Sequence, residues 1–453
     1  MSLSRRVGAA ILLAVLAAGG LLAGRRTQIA AAAQAYLFGY PLVIMDLTRA
    51  ATVASLGPEN ALLRVRAFPG VDAHDVVRPN VDTLYTTAFI DMQRGPWIFE
   101  SAPNAERYEV LPFLDAWTNV FAAPGTRTGG AAGVRYLLAA RDWRGEVPPG
   151  LTLLRAPTRM VWLIGRTQTN GMADYPLVHR LQDRITLRPF AAPAANAPTT
   201  PWRRMAKSAA PIEQMRAMST VTFFTRLAAL LPDNPASDAD RPMMAQLATL
   251  GVAPGRAPAW TWLDALCIDL GRRIADYQVG RALRQARALV RGWSTPPSNI
   301  GNYGTDYATR AVVAMVGLGA NLPADALYPN ARVDGAGEPL DGDRRYRLHF
   351  ARGALPPVRA FWSVTAYGPD DFLIPNPIDR HALGDRDRLT VNADGSLDIA
   401  IQASAPTDPR ANWLPVRAGQ AFTLNARLYW PEPAALDGRW GMPAIERVVE
   451  SQR

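Results

Sequence analysis

Lysine and cysteine are almost absent from this chain of 453 residues, and each absence excludes a class of chemistry. The single cysteine, Cys267, excludes an intrachain disulfide, cysteine-ligated zinc and a Cys-x-x-C redox pair. The single lysine, Lys207, follows alanine rather than glycine, so the chain has no Walker A loop for a nucleotide phosphate. No dinucleotide-binding glycine loop follows a predicted strand, and the four histidines lie far apart. We therefore predict no organic cofactor and assign no metal ligands, although a carboxylate-rich calcium or magnesium site stays open.

The chain is strongly basic, but arginine carries nearly all of its positive charge. The formal net charge is +10, and 48 of the 49 basic residues are arginine because only one is lysine (49 − 1 = 48). These arginines are spread along the whole chain. A nucleic-acid-binding protein is expected instead to cluster them on one element together with stacking aromatic residues. We therefore predict no nucleic-acid partner and interpret the charge as a property of composition and surface.

The N-terminus has the pattern of an export signal. Arg5 and Arg6 precede an uncharged run from Val7 to Ala23 that is rich in alanine, leucine and glycine. Residues 1–24 are therefore predicted to be an export signal, which implies a periplasmic or secreted protein. The run is long for a cleaved peptide and short for a stable membrane span, so an uncleaved anchor that tethers the protein to the inner membrane is the alternative. A buried N-terminal helix is the third interpretation.

Hydrophobic periodicity divides the remaining chain into three parts. Residues 27–170 are predicted to be an N-terminal helix, over 27–56, and a first β domain. Residues 171–329 are predicted to be a helical connecting region, which includes Cys267 as a buried structural thiol. Residues 330–453 are predicted to be a second β domain. The predicted strands are Leu84–Met92, Trp97–Phe99, Tyr108–Phe113, Trp117–Phe121, Val134–Leu138, Leu151–Leu154, Met160–Gly165, Tyr346–Phe350, Ala360–Ala366, Leu389–Val391, Leu397–Ala403 and Phe422–Trp430. The predicted helices of the connecting region are Asp174–Ile185, Ile212–Leu231, Trp262–Val290 and Thr305–Leu318.

Two clusters of residues form sequence motifs, which are more specific than the composition. The first is Arg78-Pro79-Asn80-Val81-Asp82-Thr83-Leu84-Tyr85, and the second runs from Pro356 to Tyr367 and contains Phe361-Trp362-Ser363-Val364-Thr365. The second continues through Asn376-Pro377, Arg380-His381, Asp394-Gly395-Ser396-Leu397, Asn412-Trp413-Leu414-Pro415 and Arg427-Leu428-Tyr429-Trp430-Pro431. Together they resemble a bacterial tandem family of domain of unknown function 1254, over roughly residues 36–165, and domain of unknown function 1214, over roughly 330–448.

The resemblance implies a fold but no reaction. It implies a mainly β protein with substantial α content, in which two jelly-roll-like β-sandwich domains are joined by a helical region. This arrangement is similar to the double jelly roll of some large-virus capsid proteins. Because a fold does not determine a function, the chemistry has to be argued from the residues.

The candidate site residues come from the two clusters. Asp82, at a loop–strand junction, is a candidate general base or calcium ligand, and an Asx-type cap is the structural alternative. Tyr85 and Tyr367 are the other candidate catalytic residues. The strand around Ser363 carries hydroxyls on one face, which suits either a pocket wall or a barrel wall. The candidate ligand-binding residues are Arg78, Asn80, Phe361, Trp362, Ser363, Asn376 and Arg380. Arg380 and Arg427 could bind a carboxylate, but an internal ion pair with Asp379, Asp385 or Asp387 is the simpler interpretation.

These observations favour an exported protein that binds, and could transform, a small organic molecule by acid–base chemistry without an organic cofactor. The alternative is a jelly-roll assembly or envelope scaffold without catalytic activity, which would form a homo-oligomer. The sequence names neither the substrate nor the reaction.

Overall fold

The computed structural model describes residues 20, 22–73, 77–129, 132–191, 210–285, 289–294 and 296–448; the side chains of 282–285 are not described. Most of the predicted export segment, residues 1–24, lies outside these ranges, and so does Lys207.

A long helix, α1 (Arg26–Ser55), forms the centre of a helical layer. Its residues from Ala32 to Leu47 are nearly all buried, because other helices cover one side and a β-sheet covers the other. Phe38 of α1 packs against Trp117 with ring centroids 4.6 Å apart. The other helices are α2 (Tyr175–Asp183), α3 (Pro211–Ala217), α4 (Thr220–Leu230), α5 (Arg241–Thr249), α6 (Trp262–Gln285), α7 (Tyr307–Val316) and α8 (Pro433–Leu436). Cys267 on α6 is fully buried, as predicted.

The first β domain consists of two sheets. One has the order β1-β2-β9-β5-β6, with β4 also paired to β9, and the other has the order β10-β3-β7-β8. Its strands are β1 (Leu63–Arg64), β2 (Thr83–Asp91), β3 (Trp97–Ser101), β4 (Glu109–Val110), β5 (Phe113–Asp115), β6 (Val120–Ala122), β7 (Val134–Ala140), β8 (Thr152–Ala156), β9 (Met160–Gln168) and β10 (Ile185–Pro189). All of these pairs are antiparallel except β7 with β8. Between the two sheets lies an apolar core that includes Phe99 and Phe113.

The second β domain also consists of two sheets. One has the order β11-β12-β14-β20-β16-β17, with β13 also paired to β20, and the other has the order β19-β18-β15-β21. Its strands are β11 (Leu289–Val290), β12 (Trp293–Ser294), β13 (Ala326–Leu327), β14 (Asn330–Ala331), β15 (Tyr346–Phe350), β16 (Val358–Tyr367), β17 (Ala382–Gly384), β18 (Leu397–Gln402), β19 (Asn412–Pro415), β20 (Thr423–Pro431) and β21 (Ile445–Arg447). Here too one pair, β18 with β19, is parallel.

The two domains share one connectivity, which the sequence did not show as a repeat. In chain order, β2, β3, β5, β6, β7, β8, β9 and β10 correspond to β14, β15, β16, β17, β18, β19, β20 and β21. Every pairing in the first set recurs in the second with the same direction, including the parallel pair. In each domain a helix, α2 or α8, precedes the last strand. The chain is therefore built from two copies of one β topology.

The structure confirms the predicted fold class of a mainly β protein with substantial α content and two sheet-rich domains. The jelly-roll connectivity is not confirmed, because a jelly roll is antiparallel and each domain here contains a parallel pair. Residues 171–329 also supply strands: β10 completes a sheet of the first domain, and β11 to β13 extend a sheet of the second. The predicted strand Leu389–Val391 is wrong, because β17 occupies the place beside β16.

Candidate functional site

The first sequence cluster lies against the second β domain. Asn80 shapes the loop that leads into β2, because its side-chain oxygen accepts hydrogen bonds from the backbone amides of Asp82 (2.7 Å) and Thr83 (3.1 Å). This is an Asx-type turn, as the sequence suggested for this loop. The capping residue is Asn80, whereas the sequence suggested Asp82. The turn leaves the carboxylate of Asp82 free to face strands β16 and β20.

Asp82 is completely buried and fixed by partners from the second domain. The Ser363 hydroxyl donates to one carboxylate oxygen at 2.7 Å, and the Tyr429 hydroxyl lies 3.4 Å from the same oxygen. The guanidinium of Arg386 forms an ion pair with the other oxygen and also donates to the backbone carbonyl of Thr169 at 2.6 Å. Burial, followed by the charge of Asp82, raises the pKa of Tyr429 well above its ordinary value. The Asp82 carboxylate therefore joins the two domains and is not open to solvent.

Tyr367 lies in the same network as Asp82. Its hydroxyl donates to the carbonyl of Pro79 at 2.8 Å and accepts a hydrogen bond from Arg427 at 2.6 Å. Arg427, which is only 3% exposed, also donates to the hydroxyl of Thr365 and to the carbonyl of Arg78. Among the described residues it forms no ion pair with a carboxylate, so the predicted pairing with Asp379, Asp385 or Asp387 is wrong.

Arg166 is another buried arginine at this junction that forms no ion pair with a carboxylate of the described residues. It lies on β9, is 6% exposed, and donates to the side-chain oxygen of Asn321 (2.8 Å) and to the carbonyls of Ile164 and Gly319. Its guanidinium carbon lies 5.0 Å from the centre of the Tyr85 ring, which is cation–π distance. Asn321 in turn donates to the hydroxyl of Tyr328 at 2.7 Å.

The side chains beside Arg166 are partly open to solvent. Asn80, Tyr85 and Tyr328 are each half-buried. The Asn80 amide donates to the hydroxyls of Tyr429 (3.1 Å) and Tyr85 (3.4 Å). These groups therefore form one patch, in which Asn80 and Tyr85 are half-buried and Tyr429 is fully buried. Burial raises the pKa of Tyr328, so its phenol stays neutral over the physiological range.

Positive charge exceeds negative charge at this junction. Six guanidinium groups and four carboxylates lie there. The arginines are Arg78, Arg127, Arg166, Arg332, Arg386 and Arg427, and the carboxylates are Asp82, Asp325, Asp371 and Asp385. The two arginines left without an ion pair lie on β9 and β20, which are corresponding strands of the two domains. Coulomb interactions are strong in such a buried setting, so this excess of arginine makes the local potential positive.

Most of the predicted site residues meet at this junction, but three do not. Arg78, Asn80, Asp82, Tyr85, Phe361, Ser363 and Tyr367 all lie there. Trp362 points the other way, into the core of the second domain beside Phe350. Asn376 binds the backbone of its own turn, and Arg380 donates to the carbonyl of Trp413.

Sequence reasoning missed Arg166, Tyr328 and Arg386 as members of the site. Arg386 packs over the ring of Phe361 at 4.3 Å as well as pairing with Asp82. No motif marks these residues, because each reaches the junction from a different part of the chain. Arg427 and Tyr429 were visible in a motif, and their alternation on β20 could have indicated that both face the same partner.

Open surface grooves lie elsewhere. One of about 660 Å³ lies on the four-stranded sheet of the first domain and is lined by residues such as Glu100, Arg135 and Arg184. Another of about 340 Å³ lies beside Asp341 and Arg344. Neither contains a predicted site residue. Within the described ranges no three histidine, cysteine, aspartate or glutamate side chains come together as a metal site would require.

Comparison with known proteins identifies the family. Residues 60–189 match the family described as "Protein of unknown function (DUF1254)", and residues 325–433 match "Protein of unknown function (DUF1214)". The chain belongs to the tandem DUF1254–DUF1214 family. The predicted resemblance is thereby confirmed, with both domains in the predicted order. The residues of the junction come from both matched segments, apart from Gly319 and Asn321, two partners of Arg166 that lie just before the second.

A solved structure supports the fold of this DUF1254–DUF1214 protein. The crystal structure of the VPA0106 protein from Vibrio parahaemolyticus is similar, with a TM-score of 0.70 and 23% identity over 93% of this chain and 100% of that one. An uncharacterized protein from Burkholderia cenocepacia gives a TM-score of 0.44 and 12% identity over 95% of this chain and 96% of that one. No curated protein matches the chain.

Proposed function

We propose that this protein binds a small organic anion at the junction of its two β domains. The observation that carries the proposal is Arg166, a buried guanidinium whose partners are neutral and which lies beside the half-buried side chains of Asn80, Tyr85 and Tyr328. A carboxylate is the simplest complement to such a group.

The energetics of the junction support an anion rather than a neutral ligand. A buried charge without a counter-charge costs several kcal/mol, of the order found when one partner of a buried ion pair is removed. Arg166 and Arg427 both carry this cost in part, because their direct hydrogen-bond partners are dipoles and phenols, while Asp325 and Asp82 interact with them only at longer range. An anion beside Arg166 would offset it. The rings of Tyr85 and Tyr328 would contact the organic part of the ligand.

The roles of the predicted catalytic residues differ within this proposal. Asp82 and Tyr367 have their polar atoms occupied by Ser363, Arg386 and Arg427, so we assign them to holding the two domains together. Tyr85 is the predicted catalytic residue that is partly exposed and close to Arg166. It is therefore the group we expect to contact the ligand and to take part in any proton transfer.

The first test identifies the ligand. Native mass spectrometry of the full chain purified under non-denaturing conditions should show a bound small molecule that leaves on unfolding. A panel of aliphatic and aromatic monocarboxylates and dicarboxylates should then raise the melting temperature with a concentration dependence that gives a Kd.

The second test locates the site. Tyr85→Phe removes one hydroxyl and should weaken binding of the active acid by about fivefold to tenfold, the effect of one hydrogen bond. Tyr136→Phe is the matched control, because Tyr136 is also half-buried but lies on β7 in the other sheet. Arg166→Gln should abolish binding.

A purely structural junction would give a different pattern. In that case no acid would stabilise the protein, no small molecule would co-purify, and Arg166→Gln would change stability alone. This set of results would overturn the proposal.

We further propose that the protein is exported or anchored in the cell envelope. The proposal is supported by Arg5, Arg6 and the uncharged run from Val7 to Ala23. By length and composition α1 could also cross a membrane, but 72% of its most apolar window is buried, as in the core helix of a soluble protein. The N-terminal run is therefore the better anchor. Mass determination of the protein from fractionated cells tests this: recovery of the whole protein from the cytosol with an intact N-terminus would contradict it.

A further inference from the structure

Helix α6 exposes a stripe of large apolar side chains. Trp262 is 75% exposed, Leu266 43%, Ile274 42% and Tyr277 64%. Successive members are four, eight and three residues apart, so they lie on one face of the helix, and Leu270 continues the stripe between Leu266 and Ile274. A contiguous apolar surface of this kind marks an interaction site more often than a packing defect.

The stripe is not needed to hold α6 in place. The opposite face of the helix, with Cys267, Ile268, Gly271 and Ala275, is buried. At Gly271, helix α6 approaches α1 so closely that an added Cβ would lie 2.5 Å from the carbonyl oxygen of Ile29 on α1. The packing of α6 is therefore complete without its outer face.

The N-terminal segment enters the fold beside the start of this stripe. Arg25 donates to the carboxylate of Asp264 at 3.0 Å, and Gln28 donates to the same oxygen. Asp264 lies in the first turn of α6, two residues after Trp262. The apolar run from Val7 to Ala23 ends two residues before Arg25, so the contact between Arg25 and Asp264 brings its end to the first turn of α6.

Arginines border the same surface. Arg25, which pairs with Asp264, and the exposed Arg26 lie at its beginning; Arg273, which pairs with Asp269, and the exposed Arg281 lie along it. Tryptophan and tyrosine favour the interface between lipid and water, while arginine is attracted to anionic headgroups. A helix that presents apolar and aromatic side chains with flanking arginines has the composition of an interfacial helix.

We propose that the outer face of α6 docks on the surface of an anionic lipid bilayer, next to the point where the N-terminal segment enters it. This inference rests on the envelope location proposed above, but it assigns a second contact with the membrane to the folded protein. It does not depend on ligand binding at the domain junction.

The single buried cysteine makes a direct test practical. Leu266→Cys and Tyr277→Cys each add one exposed thiol for an environment-sensitive fluorophore, while Cys267 is fully buried and should not react. Val391→Cys, at a 59% exposed site in the second β domain, is the matched control. The full-length labelled proteins are mixed with phosphatidylethanolamine–phosphatidylglycerol vesicles, with and without doxyl-labelled lipid.

Docking should raise the emission of the labels at 266 and 277 severalfold, shift it to the blue, and make it sensitive to the doxyl quencher, while the label at 391 stays unchanged. Arg273→Gln with Arg281→Gln should reduce this response on anionic vesicles. Co-sedimentation measures membrane attachment through the N-terminal segment separately.

Two results would overturn the proposal. In the first, the protein sediments with vesicles, but the emission of the labels at 266 and 277 changes no more than that of the control label at 391. This would show that α6 stays in water. In the second, the labels at 266 and 277 are already shielded without lipid and light scattering shows a dimer, so that a second copy covers the face.

Discussion

Replacement of Glu109 by glutamine should make the protein more stable at pH 8 but not at pH 4. Glu109 lies on β4 and is only 6% exposed. The hydroxyl of Thr167 donates to its carboxyl group at 3.0 Å, and Arg184 provides some favourable charge. Burial is stronger than both effects and raises the pKa of Glu109 to about 7, from 4.5 in the unfolded chain.

The direction of this pH dependence of stability follows from the linkage between protonation and folding. Because the folded-state pKa is the higher one, the favourable contribution of the neutral carboxyl is complete below pH 4.5 and is lost as the pH rises through about 7. The 2.5-unit difference (7 − 4.5) corresponds to about 3 kcal/mol at 1.36 kcal/mol per unit. Glutamine keeps the oxygen that accepts from Thr167 but cannot ionise, so it avoids this loss.

Urea unfolding of both proteins at several pH values measures the effect. The variant should exceed the wild type by up to about 3 kcal/mol at pH 8, and the difference should shrink to near zero at about pH 4, below the unfolded-state pKa of 4.5. Glu446→Gln, at an exposed site on β21, is the control. If the Glu109→Gln difference were constant with pH, or if the variant were the weaker protein at pH 8, the argument from burial would be refuted.

Three further substitutions or probes test the packing. Asp82→Asn removes the buried ion pair with Arg386 and should lower the free energy of unfolding by about 3–5 kcal/mol, measured by urea unfolding. Gly271→Ala forces a methyl group against the backbone of α1 and should lower the melting temperature, with a cost of about 1–3 kcal/mol, whereas Gly441→Ala in open space should have little effect. Cys267 should not react with a thiol reagent in the folded protein and should react at once in guanidinium chloride; rapid reaction in the native state would show that α6 opens.

The secondary structure could be predicted where local pattern decides it. The strand Tyr346–Phe350 was predicted exactly, and Leu397–Ala403 within one residue, because alternating apolar side chains mark one buried face. The predicted helix Ile212–Leu231 is instead two helices, because Ser219 caps a new one by accepting a hydrogen bond from the Thr222 amide. Such a cap signal was present in the sequence.

The site could be predicted only in part, because its contacts join distant parts of the chain. Asp82 and Ser363 are 281 residues apart and yet form a hydrogen bond. The motifs indicated that both residues matter, but only the arrangement of the domains shows that they touch. Arg386 could not be predicted for the same reason. Which of the many carboxylates it pairs with depends on the distance between them in the folded protein, and no local sequence pattern indicates that distance.

The shared topology of the two domains explains why the site lies where it does. Two copies of one β fold present corresponding strands, β9 and β20, at their junction, and each strand contributes one arginine without an ion pair. A single copy would expose such an arginine to water, where it needs no partner. Burial of both becomes costly only when the domains are joined, and the cost is then concentrated at one place. The neighbouring tyrosines and amides lower that cost but carry no negative charge, and Asp325 and Asp82 interact with the two arginines only at longer range; in the proposed function, an anion beside Tyr85 would add the direct partner that Arg166 lacks.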